Sequence, residues 1–346
     1  MRSEPGSAPP GLAAEFRSAL ETCQAETAAL APRWAALTVP CSRGGRGLDQ
    51  TAAVLVAEET GRAGRDGTLL DMIAAAETLA AAGPGPAAAV LDGLTTGADV
   101  PAVSWWPAPG ERHGNDAEPP GHRDFAVGLP AATALLRLPP VPGDGVRFTL
   151  VALHGAAWRA QPGLHGERRH RLDLDGRAGP VLTADEGAAP GDGGPSPADL
   201  DGIRRAAYVW GLADAAVGAA VRQARQRHQF GVPIGRHQAV AFPLAALTAR
   251  LRAARLLTHS IAAAADRGTA SADDEDKRPF TERVAHLVRH TGALSLDATW
   301  CALHVHGAHG LTDDSPAQLL YRRALFHTTL ARQSSHRTAV PEGHDR

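Results

Sequence analysis

Four long amphipathic stretches in the second half of the chain limit its fold most strongly. Apolar residues recur at intervals of three and four over residues 199–226, and residues 237–265 repeat this spacing. Two further stretches run from Thr281 to about Val305 and from Pro316 to Val340. Such spacing lines up the apolar side chains on one helical face, which must be buried. Long helices joined by short loops predict a four-helix bundle over residues 196–346.

The first hundred residues predict a small helical domain. One helix is expected within residues 11–37 and a second within 51–63, because both segments contain apolar residues at helical spacing. Pro40 and the Gly44-Gly45 pair predict a turn between them, and Asp49 is placed to cap the second helix. Residues 69–98 are again rich in alanine and leucine. The N-terminal helical domain is therefore assigned to residues 1–100.

Residues 101–195 differ in character and predict a reduced β domain with long loops. Prolines and glycines are frequent there, and only short runs such as TALLRL and VRFTLVALH alternate like strands. A glycine- and proline-rich linker follows, in which Ser196 or Asp199 can cap the next helix. The predicted fold class is mainly α with a small β domain.

Composition excludes several classes of function. The net charge is −2 and the arginines are scattered among acidic residues, so nucleic-acid binding is not expected. Cys23, Cys41 and Cys301 are too widely spaced for a disulfide framework or a zinc site, which favours a reducing, cytoplasmic location. The N-terminus lacks the apolar core of a signal peptide, and no segment has the roughly 20 apolar residues that cross a bilayer.

The loop between the first two bundle helices, RHQFGVPIGRHQ, contains an arginine whose guanidinium group would suit a diphosphate. It spans residues 227–238 and contains Arg227, Gln229, Phe230 and Gln238. A guanidinium group offers forked donors to a diphosphate, and each charged hydrogen bond contributes about 1.5–3 kcal/mol. An exposed arginine in an ordinary interhelical loop is the alternative.

Two other segments of the chain contain closely spaced glycines. WAALTVPCSRGGRG precedes a helix with Glu58 and Glu59, and HVHGAHGLTDDSP contains His304, Gly307 and Gly310. Glycines let backbone amides approach a pyrophosphate closely, although a helix C-cap also explains them.

The three segments, in this order, resemble the acyl-CoA dehydrogenases. That family has R-x-x-F-G-x-P-I with a following glutamine, an N-terminal W-x-x-L-x-V-P-x-x-x-G-G-x-G, and a C-terminal H-G-G-x-G corner, in which Ala308 here replaces one glycine. The resemblance implies FAD as cofactor and α,β-dehydrogenation of an acyl thioester, with the flavin accepting the β-hydride and a base removing the α-proton. The residues it implies for cofactor binding are Arg227, Gln229, Phe230, Gln238, His304, Gly307 and Gly310.

The usual catalytic glutamate of the family is absent. Its position is occupied by Ala331, which cannot accept a proton. Some members place the glutamate at the start of the first bundle helix, and Asp201 stands there in the sequence Asp199-Leu200-Asp201. Asp201 is thus a candidate base, although an aspartate in a first helical turn is also explained by the helix dipole.

The middle domain lacks the family's recognisable flavin-facing loops. Trp105 and Trp106 stand where the first loop is expected, as flavin-stacking or as core residues. The segments that are kept are those that, in homo-oligomeric relatives, reach over to a neighbour's flavin. This pattern, with the final Ser335-His336-Arg337, resembles the short subunits of heteromeric acyl-CoA dehydrogenases of steroid side-chain catabolism. The resemblance implies a larger partner subunit that supplies the base.

Two alternatives stay open. The chain could be a self-sufficient homo-oligomeric dehydrogenase that uses Asp201, or a non-catalytic structural subunit without flavin. A metal site is not expected, because the cluster of His304, His306 and His309 has no evident further ligand.

Overall fold

The computed structural model describes residues 9–23, 27–104, 122–126, 133–137, 146–154, 158–163, 166, 168–173, 179–184, 195–267 and 278–338. The chain divides into two compact units. The N-terminal unit comprises Met1–Ala53 and Asp66–Pro197, and the bundle unit comprises Val54–Arg65 and Ala198–Arg346. The finer division into domains 1–100, 101–195 and 196–346 stays a prediction.

Helices form the first part of the N-terminal unit. They are α1 (Leu12–Thr22), α2 (Ala31–Trp34), α3 (Gln50–Arg62), α4 (Thr68–Ala81) and α5 (Pro86–Thr96), with the second part of α3 belonging to the bundle unit. The single helix predicted over residues 11–37 is wrong, because a 3₁₀ turn at Thr27–Leu30 precedes the separate helix α2, which has Pro32 in its first turn. The predicted cap of α3 is confirmed, since the Ala52 amide donates to Asp49 Oδ1 at 2.7 Å.

A β-sheet completes this unit. Within the described residues its strands are β1 (Ala102–Ser104), β2 (His122–Ala126), β3 (Thr133–Arg137), β4 (Val146–Ala152), β5 (Trp158–Pro162), β6 (Arg168–Asp173) and β7 (Val181–Ala184). Their order is β5-β6-β2-β1-β3-β4-β7, and only the β1–β3 pair is parallel. Leu135 faces Leu150 across β3 and β4, and both are buried. Trp105 and Trp106 lie outside the described residues.

Four long helices form the bundle unit, as predicted. They are α6 (Pro197–Gln226), α7 (Gln238–Asp266), α8 (Phe280–His306) and α9 (Pro316–Thr338). One core cluster joins α6, α7 and α8 through Trp210, Ala213, Val217, Leu247, Leu251, Ala254, Leu294 and Ala298. Leu257 is 43% exposed, because the buried stripe of α7 runs through Ala254, Thr258 and Ile261. The predicted fold class is confirmed.

Helices α3 and α6 touch backbone to backbone. A Cβ atom on Gly61 would lie 2.1 Å from the carbonyl oxygen of Tyr208, and one on Gly211 would lie 2.3 Å from that of Glu58. Any side chain at either position would therefore force the two helices apart. This close approach fixes the end of α3 against the middle of α6.

A buried carboxylate links α3 to α7. Glu58 is 1% exposed, and its oxygens accept hydrogen bonds from Arg255 Nε at 3.0 and 3.1 Å, while His259 Nε2 lies 2.8 Å from Oε1. Burial alone would raise the pKa of Glu58, but the hydrogen bonds and charges of His259 and Arg255 outweigh burial and lower it below its ordinary value of 4.5. The ionised carboxylate is therefore the form that the fold favours.

No helix among the described residues is long and apolar enough to cross a membrane.

Replacing Glu58 tests this link. Because its folded pKa is lowered, the carboxylate should stabilise the fold fully above pH 4.5 and lose this contribution as the pH falls through the folded pKa. We expect Glu58→Gln to lower the free energy of unfolding by about 1–3 kcal/mol at neutral pH. The difference from the wild type should shrink below about pH 4 in denaturant titrations. Glu282→Gln, at an exposed position of α8, serves as control, and a difference that does not vary with pH would contradict the account.

Candidate cofactor site

The loop between α6 and α7 folds as a short, closed hairpin. Its strands are β8 (His228–Gln229) and β9 (Val232–Pro233), followed by a 3₁₀ turn at Ile234–Arg236. The Ile234 amide donates to the carbonyl oxygen of Arg227 at 2.8 Å, which closes the base of the hairpin. The hairpin therefore presents its tip from a fixed base at the C-terminal end of α6.

Phe230 lies at the tip of this hairpin. It is 93% exposed, and it is the one non-glycine residue with a positive φ (55°) among the residues that the structure describes. Its ring makes an edge contact with His237, with 5.9 Å between ring centres. A positive φ is uncommon outside glycine, and an exposed aromatic ring loses the stabilisation of burial. Both features fit a ring that contacts a ligand or another chain.

The corner after α8 meets the same end of the bundle. Gly307 follows α8 with φ 64° and ψ −145°, and its amide donates back to carbonyl oxygens of the last helical turn. A Cβ atom on Gly307 would lie 3.4 Å from Nη1 of Arg227. The guanidinium group from the end of α6 thus lies against the glycine that ends α8.

Gly310 has a packing role in this corner. It is buried, and a Cβ atom there would lie 2.9 Å from the carbonyl oxygen of Leu303 and 3.0 Å from Cβ of His306. A side chain would therefore prevent the 3₁₀ turn Gly307–Leu311 from folding back onto α8.

His304 belongs to an exposed aromatic group that the sequence alone did not predict. Its ring makes an edge contact with Trp300 at 4.6 Å, and Trp300 in turn lies 5.8 Å from Tyr321. Trp300 is four residues before His304, so the helical spacing itself was the available signal. Over the described ranges, no three histidine, cysteine or acidic side chains converge as they would around a metal ion.

The predicted cofactor residues thus lie together at one end of the bundle. Arg227, Gln229, Phe230, Gln238 and His304 are all exposed there. We call the guanidinium of Arg227 and the backbone of Gly307 the clamp. Binding of a cofactor by these residues stays a prediction.

Asp201 lies at the other end of α6. Its Oδ2 accepts a hydrogen bond from Nε of the buried Arg205 at 2.7 Å. At 1.5 Å per residue, the 26 residues from Asp201 to Arg227 correspond to roughly 39 Å. Ala331 is also displaced from the clamp, since it lies about 22 Å along α9 from the start of that helix at Pro316. Both candidate positions for a base are therefore far from the clamp.

Comparison with known proteins shows what the bundle unit resembles. Residues 202–331 match the family described as "Acyl-CoA dehydrogenase, C-terminal domain". The bundle unit is thus similar to the C-terminal domain of the acyl-CoA dehydrogenases. The predicted enzyme class, an FAD-dependent oxidoreductase, and the predicted cofactor, FAD, agree with the proteins that this chain matches.

The curated relatives match about a third of the chain, whereas solved structures share its fold over nearly the whole length. A 3-(aryl)acrylate reductase of Clostridium sporogenes is 37% identical over 118 residues, which are 34% of this chain but only 29% of that protein. A glutaryl-coenzyme A dehydrogenase structure has a TM-score of 0.75 at 18% identity over 97% of this chain and 95% of its own. The ChsE4–ChsE5 complex of Mycobacterium tuberculosis has 0.74 at 20% identity, over 99% of this chain and 100% of its own.

Replacing Gly307 tests the geometry of the corner. Its φ and ψ are accessible to glycine but strained for other residues, at a cost of about 1–3 kcal/mol. We expect Gly307→Ala to lower the free energy of unfolding by about this amount. Ala308→Gly, at the exposed neighbouring position, should not impose this strain. Equal stability of Gly307→Ala and the wild type in denaturant titrations would show that the corner adopts another conformation.

Proposed function

We propose that this chain is a flavoprotein subunit for the α,β-dehydrogenation of an acyl thioester, and that it contributes its clamp to FAD. The contact of Arg227 with Gly307 is the main support. This contact joins two segments that are 80 residues apart in the sequence. Each segment resembles a cofactor-binding motif of the acyl-CoA dehydrogenases.

The residues of the clamp fit a dinucleotide. The guanidinium group of Arg227 has forked donors that match diphosphate oxygens. Because Gly307 has no side chain, a ligand can approach its backbone closely beside Arg227. Phe230 offers an exposed ring that can cover a flat part of the cofactor and exclude water from it. The amides of Gln229 and Gln238 add polar contacts near the same end.

The chain's own side chains account for only part of the chemistry. FAD, when bound, supplies the hydride acceptor. Arg227 binds and orients the diphosphate, and Phe230 shields it. No proton can be taken by Ala331, and Asp201 is already held by Arg205. A base from another chain therefore fits the reaction better than one from this chain.

The distance along α6 supports this division of roles. A single extended dinucleotide does not span the roughly 39 Å between Arg227 and Asp201, so the two ends of the bundle serve different cofactors or different chains. We propose a larger acyl-CoA dehydrogenase subunit, of the steroid side-chain type, as the partner that holds the flavin ring and supplies the glutamate. The similarity to the ChsE4–ChsE5 complex agrees with this proposal.

Replacing Arg227 tests the role of the clamp. Loss of one charged hydrogen bond costs about 1.5–3 kcal/mol, so we expect Arg227→Ala to weaken FAD binding roughly ten- to a hundredfold. Flavin content and FAD affinity of the purified assembly are the measurements. Arg236→Ala is the matched control, because Arg236 is an exposed arginine of the same loop and lies outside the clamp.

Full retention of FAD by Arg227→Ala would refute the role of the clamp. Equal loss of FAD from Arg236→Ala would show that the loop acts through its overall charge and not through Arg227.

Replacing Asp201 separates the partner-dependent enzyme from a self-sufficient one. A general base contributes about 10²–10⁴ in rate. We expect Asp201→Asn to change turnover of the assembled complex little, whereas replacing the partner's glutamate should abolish it. Circular dichroism checks that the loss of the Arg205 pair leaves the helices intact. An active, flavin-containing homo-oligomer that Asp201→Asn inactivates would overturn the proposal of a partner.

A further inference from the structure

An arginine-lined cleft lies on the bundle unit, apart from the clamp. The cleft has a volume of about 500 Å³. It is lined by residues from the end of α3, from the second half of α6 and from the middle of α7. This volume falls in the range of sites that hold small molecules, about 300–1,000 Å³. Its lining includes no residue of the loop 227–238 or of the corner 304–310.

The charge of this cleft is mainly positive. Arg62, Arg222 and Arg252 line it, and Asp214 is its one acidic residue. Asp214 is already engaged, because its Oδ2 accepts a hydrogen bond from Arg62 Nε at 2.8 Å. Across residues 54–65, 195–267 and 278–338, no carboxylate forms an ion pair with Arg222 or Arg252. Two guanidinium groups therefore face the cleft without a counter-charge from these residues.

The floor of the cleft is apolar and firmly held. Trp210, Val217 and Leu251 line it and belong to the bundle core. The guanidinium groups of Arg62 and Arg255 lie 5.2 Å and 5.5 Å from the centre of the Trp210 indole ring, and Nε1 of Trp210 donates to the carbonyl oxygen of Leu251 at 2.7 Å. Such a floor keeps the cleft open and offers apolar contact to part of a ligand.

Arg62 adds a fixed positive charge. Burial alone would lower its pKa, but the hydrogen bond to Asp214 and the charge of Glu59 outweigh burial and raise it. Arg62 thus stays charged while its position is set by two carboxylates. Arg222 and Arg252, the other two arginines of the lining, are both exposed.

We propose that this cleft binds a small organic anion, with a phosphate or carboxylate group held by Arg222 and Arg252 and an apolar part resting on Val217 and Leu251. Forked guanidinium donors match both head groups. The cleft lies apart from the clamp, and its occupation does not depend on the proposed dehydrogenase function.

Calorimetric titration of the purified protein in its native assembly tests this site. Phenyl phosphate and phenylacetate are the probes, and they distinguish a phosphate from a carboxylate head group. Inorganic phosphate tests charge alone, and phenol tests the apolar part alone. We expect saturable binding of one phenyl phosphate or phenylacetate per chain, tighter than that of phosphate or phenol.

Two variants locate the binding. The double variant Arg222→Ala/Arg252→Ala should bind the tighter of the two anions at least roughly tenfold more weakly, because it lacks two charged donors. Arg250→Ala is the matched control, because Arg250 is an exposed arginine on α7 that instead pairs with Asp297 of α8 at 3.2 Å. It should bind the probe like the wild type.

Other outcomes would overturn the proposal. These are no saturable binding by the wild type, phenol binding as tightly as the anions, equal affinity in the double variant, or an equal loss in Arg250→Ala. If the wild type shows no saturable binding and another chain of the assembly covers the cleft, the cleft is a subunit contact and not a ligand site.

Discussion

The buried Glu58 is the interaction on which the bundle unit depends. Its carboxylate ties α3 to Arg255 and His259 of α7, while Gly61 and Gly211 let α3 lie directly on α6. Three helices are thereby fixed in one arrangement, and Trp210 fills the space between them beneath two guanidinium groups. Because the core cluster also packs α8 against α6 and α7, the C-terminal ends of α6 and α8 lie beside each other and the clamp can form.

The consequence for function is that the two ends of the bundle differ. One end presents Arg227, Gly307 and the exposed ring of Phe230, all turned outward from this chain. The other end holds Asp201 in an ion pair with Arg205, and Ala331 stands on α9 at the position predicted for the family's glutamate. Exposed candidate cofactor residues at one end and an ion-paired candidate base at the other fit the proposal of a cofactor shared with another chain.

Much of the fold could be predicted from the sequence, because it depends on local patterns. The apolar spacing predicted the four bundle helices, and the position of Asp49 before α3 predicted that it caps this helix. One helix was wrongly predicted over residues 11–37, because Pro32 was not recognised as marking the first turn of a separate helix. The backbone contact of Gly61 with α6 could not be predicted, because it depends on which distant helix lies opposite the glycine. The same is true of the arginine-lined cleft, whose residues come from three helices, and of Arg227 beside Gly307.

The decisive measurement is the structure of this chain with FAD and a larger acyl-CoA dehydrogenase subunit, because it shows directly whether the two chains share one FAD. We expect Arg227 of this chain to donate to the FAD diphosphate at about 2.7–2.9 Å, the range of charge-assisted hydrogen bonds, while the flavin ring and the catalytic glutamate lie in the partner. FAD bound away from Arg227, or with its flavin ring held beside Asp201 of this chain, would contradict this expectation.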